Sequence, residues 1–431
     1  MTSRPAGAGI IVRVSHTVPD LGHRRRRLSG RDPNEPHRGA TPLELLYDLV
    51  FVVAFGQAAN ELAHYVAEDH VRTGILGYAF AVFAISWAWI NYSWFASAYD
   101  EDDWVCRLAT MVQMVGVIIL ALGLPEVFAS FDQGETLDNG VVVAGYIVMR
   151  VPMAVQWLRA SRHDPERRPA HLTYFWTIIV AQIGWTALVF LSLPIGTTFA
   201  LCGVLYLIEL AGPVVAQRWK GGTPWHPHHI AERYGLLVII TLGEGIIGTV
   251  ASLSAVVHGP VGWSVDAALV AIAGTGLTFG LWWMYFTLPS GHVLRLHPER
   301  AFSWGYGHIV TFGSLAAVGG GLHVAAFYLD HHTRIGAFGT VLSVAVPLAV
   351  FVLMLYATWT FLMRRQDPFH LGLLLGTAAV LVLAVVLAKV GVSMAWCMVV
   401  LALAPVVTIV GYETVGHRHQ ESELTRMKQS V

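Results

Sequence analysis

Glu44, Asp48, Gln57, Glu61 and His64 fall within one otherwise apolar run of this sequence, and Glu232, Arg233 and Glu244 fall within another. A charge at the middle of a bilayer costs roughly 2.5–3.5 kcal/mol on insertion scales, so each such group needs a partner or a water-filled site. At about 100° per residue, Glu44 and Asp48 stand about 40° apart on a helix, while Gln57, Glu61 and His64 gather on the opposite side. A helix facing lipid would not tolerate both polar faces, so this first helix is expected to sit centrally. Asp48 would lie near an inner mouth, Glu61 and His64 near an outer one, and Leu49, Val52, Val53 and Phe55 would form a dry girdle between them. The plainer alternative is that Glu44 and Asp48 cap or pair locally at the start of the helix.

Glu232 and Arg233 stand at the inner end of the seventh apolar run, and Glu244 lies roughly 16 Å beyond Arg233 on nearly the same face. Gly243, Gly245 and Gly248 around Glu244 permit close approach of another helix. Arg150 is similarly deep in the fourth run and precedes Pro152, which lacks the N–H that would bond a preceding carbonyl. Glu209 in the sixth run is the other buried acid. These positions predict that Arg150 is neutralised by Glu244 or by Glu209, either as a structural ion pair or as part of an ion or proton relay.

Other groups admit a chemical and a structural use. His226, His228 and His229, followed by Glu232, carry metal-type ligands, but they sit at a membrane boundary where polar residues are expected, and no metal is assigned to them. His308 and His323 in the ninth run are either buried hydrogen-bonding histidines or ligands. Trp87, Trp89, Trp94, Trp282 and Trp283 either stack on a substrate or pack in the interior. The sequence contains no Gly-rich phosphate loop, Gly-x-Ser-x-Gly elbow or Cys–His nucleophile pair, so nothing points to an enzyme or a cofactor.

The elements that must position these groups are transmembrane helices. Of 431 residues, 55% are hydrophobic and only 13% charged, with a mean hydropathy of +0.57; soluble domains carry about 25% charged residues. Apolar runs of roughly 20 residues, the length that crosses a hydrocarbon core, predict spans at about 42–66, 74–96, 105–129, 139–160, 171–192, 196–217, 229–252, 264–288, 302–328, 335–363, 370–388 and 393–415. The three cysteines, Cys106, Cys202 and Cys397, are far apart, which suits neither a disulfide framework nor a zinc site. The expected fold class is therefore an all-α polytopic membrane protein of about twelve transmembrane helices.

Residues 1–41, with Arg24, Arg25, Arg26 and Arg27 and no hydrophobic period, read as a disordered basic tail. Residues 417–431 read as a second tail. With both tails cytoplasmic, the inner loops hold Arg159, Arg162, Arg167, Arg168, Arg218, Lys220, Arg295, Arg300, Arg364 and Arg365, whereas the outer loops hold only Arg72, Arg334 and Lys389. That asymmetry follows the positive-inside rule and predicts a multi-pass plasma-membrane protein with both termini inside.

An internal repeat is also expected. Glu44 opens ELLYDLVFVVAFGQ and Glu232 opens ERYGLLVIITLGEG; Trp89-Ile90-Asn91-Tyr92 matches Trp282-Trp283-Met284-Tyr285, and Gly123-Leu124 matches Gly321-Leu322. The halves would be six-helix repeats over 42–217 and 218–416, parallel because each holds an even number of spans.

The strings TPLELLYDLVFVVAFGQAANEL, WAWINYSWFASAYDEDDW, RLATMVQMVGVIILALGLPE and HHIAERYGLLVIITLGEGIIG resemble the bacterial low temperature requirement protein A family, over nearly all of the chain after Thr41. That family is associated with growth in the cold and has no transported substrate assigned. A fainter similarity links Tyr47-Asp48-Leu49-Val50-Phe51 and Trp89-x-Asn91-Tyr92 to the lysosomal and bacterial potassium channels built of six-helix repeats. It implies that Asp48 is an anchoring acid, with Leu49, Val52 or Val53 as a constriction facing Leu236, Ile239 or Ile240. The sequence departs from that pattern at Tyr47, where the channels have Ser, and at Gly235, where an Asp is expected.

The functional expectation is a permease or channel-like protein passing an ion or small solute between the first and seventh helices. Its partners would be membrane lipid and that solute, with no nucleic acid. A structural or accessory protein supporting the membrane in the cold is the alternative, and an intramembrane enzyme acting on lipid comes third.

Overall fold

A computed structural model describes residues 27–35, 38–134, 136–257, 264–365 and 367–430. Twelve stretches of helix in it are long and apolar enough to cross a membrane, and the chain is all-α throughout the described residues. The first half holds α1 (Pro42–Ala67), α2 (Val71–Tyr99), α3 (Trp104–Leu122), α4 (Leu124–Gln133), α5 (Gly140–His163), α6 (Arg168–Phe190) and α7 (Ile195–Trp219). The second holds α8 (Pro227–Val257), α9 (Val265–Phe286), α10 (Ser290–Leu296), α11 (Ala301–Leu329), α12 (Ala337–Met363), α13 (Pro368–Lys389), α14 (Met394–Gly411) and α15 (His417–Ser430). The third expected span is broken: α3 ends at Gly123, Pro125 follows in the first turn of α4, and a proline there lacks the N–H a continuous helix would need.

Helix starts follow local chemistry. Thr41 caps α1 in a reciprocal box, Glu44 N–H donating to Thr41 Oγ1 at 3.3 Å and Thr41 N–H to Glu44 Oε2 at 2.8 Å, with Pro42 following the cap. Asp103 caps α3 by accepting from Cys106 N–H at 2.8 Å.

The centre of the bundle is α11. Of its apolar stretch 89% is buried, against 44% for α1 and 50% for α8, so the helix expected at the centre is one of its neighbours. The cause is side-chain size: Gly313, Ala316, Ala317, Gly319, Gly320 and Gly321 let surrounding helices come close on every side of α11. A Cβ on Gly319 would lie 2.6 Å from the Glu244 backbone carbon, which is how α8 seats against it. Most neighbours recur in the two halves: α1 with α2 and α3, α3 with α5, α5 with α6, α6 with α7; then α8 with α9 and α11, α11 with α12, α12 with α13, α13 with α14; α9 also packs closely on α14, which α2 and α7 do not repeat. The halves meet through α1 and α2 against α8 and α11.

Residues 27–41, expected to be part of a disordered tail, are instead packed on the bundle in their described part. Residues 1–26, including Arg24, Arg25 and Arg26, lie outside the described residues. The described part from 27 onward packs across the end of the bundle where α1 begins, here the near end. Leu28 is fully buried, Arg31 N–H donates to Ala98 O at 3.0 Å, and Arg38 Nη2 donates to Ala96 O at 2.7 Å. This strap is held by main-chain hydrogen bonds and buried side chains that carry no helical or strand periodicity. At the other terminus α15 is an amphipathic helix whose Gln420 Nε2 donates to Thr287 O at 3.1 Å.

Candidate functional site

α1 and α8 bring their charged residues together at the near end. Arg233 on α8 lies between the two acids of α1: Nη2 donates to Asp48 Oδ1 at 2.5 Å, and Nη1 is 2.8 Å from Glu44 Oε1. All three side chains are buried to 0% exposure. His229, one turn before Arg233, directs Nε2 toward Glu44 Oε2 at 3.2 Å, and Trp89 on α2 donates its indole N–H to Asp48 Oδ1 at 2.7 Å. The guanidinium carbon stands 5.6 Å from the Trp89 ring and 5.8 Å from the Tyr92 ring, in cation–π range. Two carboxylates thus share one arginine, and Glu44 both caps its helix and joins the cluster. Asp48 Oδ2, Arg233 Nε and His229 Nδ1 are buried without a protein hydrogen-bond partner.

The histidine run before α8 is used locally. His226 Nε2–H donates to Glu35 O at 2.9 Å and Nδ1 accepts from His229 N–H at 3.2 Å, so one neutral tautomer serves both the strap and the helix start. Glu232, exposed on α8, accepts from Ala40 N–H at 3.3 Å. Asp100, just past α2, is buried with its acidity weakened: burial, then the Glu44 charge, push its pKa from 3.8 to about 6.

Arg150 on α5 pairs with Glu209 on α7 at 2.9 Å, which resolves the two partners offered by the sequence in favour of Glu209. The same carboxylate accepts the indole N–H of Trp185 at 3.0 Å and that of Trp87. Arg150 Nη2 also donates to Tyr146 Oη at 3.0 Å. Its burial is therefore matched by one full countercharge in a ring of aromatic donors, the geometry a buried pair requires.

Glu244 has no such match. It is 3% exposed, and its carboxylate lies over Gly56 of α1, where a Cβ would be 2.7 Å from Oε1. Gln57 and Glu61, farther along α1, hydrogen-bond each other at 2.9 Å and are half-buried, and His64 is exposed. His308 is buried in α11 with both ring nitrogens engaged, Nδ1–H to Trp304 O at 2.8 Å and Nε2 accepting from Tyr285 O–H at 2.9 Å.

The expected girdle does not close within one chain. Phe55 is buried and Val52 half-buried, but Leu49 is 59%, Val53 56% and Ile239 46% exposed, turned from the packed interior. The polar seam runs along the inward side of α1 and α8, and these branched residues clothe the outward side, where apolar exposure suits lipid contact. Nothing in the sequence marks Trp185 as a donor to Glu209 or His229 as a partner of Glu44. Trp87 and Trp89, expected either to stack on a substrate or to pack, instead donate their indole N–H groups to Glu209 and Asp48, acids on other helices that no spacing rule connects to them. Among the described residues no group of three or more His, Cys, Asp or Glu is arranged to hold a metal ion.

The family model for the bacterial low temperature requirement A protein matches residues 39–405, from just before the α1 cap into α14. An uncharacterized protein of Rhizobium meliloti (strain 1021) is 27% identical over 345 residues, covering 73% of this chain and 75% of that protein. No solved structure matches.

Proposed function

We propose a transport role for this chain, which belongs to the bacterial low temperature requirement A protein family: a channel-like permease passing an ion or small solute along the α1–α8 seam. The observation that carries the reading is the single face of α8 on which Arg233 and Glu244 lie, opposed by Asp48 and Gly56 of α1. A helix that only fills space gains nothing from ionisable groups at both depths, since each costs free energy in lipid. Buried hydrogen-bonding atoms left unused at Asp48, Arg233 and His229 support a seam that receives a small polar species. The recurrent helix pairing in the two halves supports two parallel six-helix repeats, with α1 and α8 as equivalent helices. We place the protein in the bacterial plasma membrane with both termini cytoplasmic, following the arginine distribution.

The test is flux through the purified protein in liposomes, with K⁺, Na⁺, protons and small metabolites offered in turn. Flux that falls in Asp48→Asn and Glu244→Gln is expected. A second reading, a non-transporting accessory protein of the cold membrane, is favoured by the pairing of Arg233 with two acids at once, which suits a rigid clamp. Absence of flux for every solute, with growth in the cold retained in both variants, decides for that second reading.

A further inference from the structure

Among the described residues, Glu244 is the one acid within a span that is more than nine-tenths buried and makes neither an ion pair nor a hydrogen bond. Arg150 of α5 and Arg233 of α8 are each paired elsewhere, Arg150 with Glu209 and Arg233 with Glu44 and Asp48. The neighbouring hydroxyls of α8, α9 and α2 are committed too. Thr249 Oγ1 donates to Gly245 O at 2.7 Å and Thr278 Oγ1 to Gly274 O at 2.9 Å. Tyr78 of α2 donates to Gly313 O at 2.6 Å.

The space around the carboxylate is built from glycine. Gly56 of α1 leaves room for the carboxylate itself, Gly319 of α11 receives the Glu244 backbone, and Gly245 seats Thr278 of α9. Of the ionisable groups on the helices packed around it, Tyr78 of α2 faces it and His323 of α11 lies beside Gly248, one turn on; α1 also carries Glu44, Asp48, Glu61 and His64, α9 carries Asp266 and Tyr285, and α11 carries His308. Among the described residues no arginine or lysine pairs with it. An ionised carboxylate without a partner in so apolar a site carries a desolvation cost that a bound proton removes. A metal cation would need about six oxygen ligands, and one carboxylate among glycines offers too few.

We infer that Glu244 is held as a neutral carboxylic acid and exchanges a proton at mid-membrane, that proton being the ion of the α1–α8 path. The second half of the statement rests on the transport reading; the first half does not. In an exchange the O–H bond of the acid breaks toward water or a carrier group on one side of the membrane, and the carboxylate takes a new proton from the other side.

The test uses the full chain in three ways. An apolar carbodiimide, which reacts with protonated carboxyls, should label wild-type protein at Glu244 and leave the Glu244→Gln variant unlabelled there, with labelling falling as the pH is raised. Infrared spectra of the wild type at neutral pH should show a protonated-carboxyl carbonyl band that Glu244→Gln removes. A wild-type spectrum carrying only a carboxylate band at that position means a permanently ionised side chain and overturns the inference. In liposomes, a dye-reported proton flux should be lost in Glu244→Gln and retained in part in Glu244→Asp. Unchanged proton flux in Glu244→Gln overturns the role in the path. Labelling and the carbonyl band without any wild-type flux support the neutral acid and sink the transport reading alone.

Discussion

Replacing Arg233 with Met tests whether the near-end cluster is held by charge. The methionine fills most of the volume but leaves Glu44 and Asp48, both at 0% exposure, without their shared cation. Breaking one buried pair by removing a partner costs about 3–5 kcal/mol. The remaining contacts moderate the loss, since Asp48 keeps the Trp89 indole at 2.7 Å and Glu44 keeps Thr41 N–H at 2.8 Å and His229 at 3.2 Å. The expected loss is therefore about 4 kcal/mol, close to three orders of magnitude in the unfolding equilibrium constant. Adding Glu44→Gln and Asp48→Asn to Arg233→Met removes the uncompensated charges and should recover all but about 1–2 kcal/mol. Denaturing-detergent unfolding of the purified protein, followed by tryptophan fluorescence, reads both variants. A single variant within about 0.5 kcal/mol of wild type, or a triple variant no better than the single, refutes the electrostatic account.

The Arg150–Glu209 pair predicts a different pattern. Arg150→Met should destabilise more than the double variant Arg150→Met with Glu209→Gln, because the glutamine keeps a carbonyl for an indole N–H without a stranded charge. A coupling energy of roughly 1–3 kcal/mol in a double-mutant cycle is expected, and additivity would count against the pair. A full charge reversal should recover little, since an arginine at position 209 would face two indole donors, Trp87 and Trp185. For Asp100, the folded pKa of about 6 lies above the ordinary 3.8, so the unfolded chain binds fewer protons between these values and stability falls as pH rises through that window. The cost is absent below about pH 4 and complete above about pH 6. Asp100→Asn keeps an acceptor for Asp102 N–H and should be more stable than wild type by roughly 2 kcal/mol at neutral pH. That advantage should shrink to nothing on acidification, and a pH-independent difference rules out this origin.

Which parts of this molecule could be read from the sequence follows from the range of the interactions involved. Spans were legible because hydropathy over about 20 residues is a local property with a sharp physical threshold: all twelve begin within a few residues of where composition puts them, although the eighth and twelfth stretches run on past their expected ends to Leu296 and Gln429. Glu44, Asp48, Arg233, Glu209 and Arg150 were legible because a deep charge cannot be left to lipid. Their pairing was only partly so, as nothing local says whether Arg150 meets Glu209 or Glu244. The strap from residue 27 was missed because it is stabilised by Ala96 and Ala98 carbonyls and by His226, none of which leaves a periodic trace.

The helix at the centre was misread for a more general reason. Polar content draws attention to α1, yet centrality in a bundle is decided by how many neighbours a helix can admit, and that depends on small side chains. The glycines and alanines of α11 are silent on a charge-based reading, although the Gly319-Gly320-Gly321 run is plain in the sequence. Once α11 takes the centre, α1 and α8 are free to keep one face on each other and on α11 while the other carries Leu49, Val53 and Ile239 outward. The seam therefore has tight packing behind it and an apolar flank beside it. Glu244 belongs to the packed side, 3% exposed and over Gly56 of α1, so a species reaching its carboxyl has to pass between α1 and α8 and not from the flank.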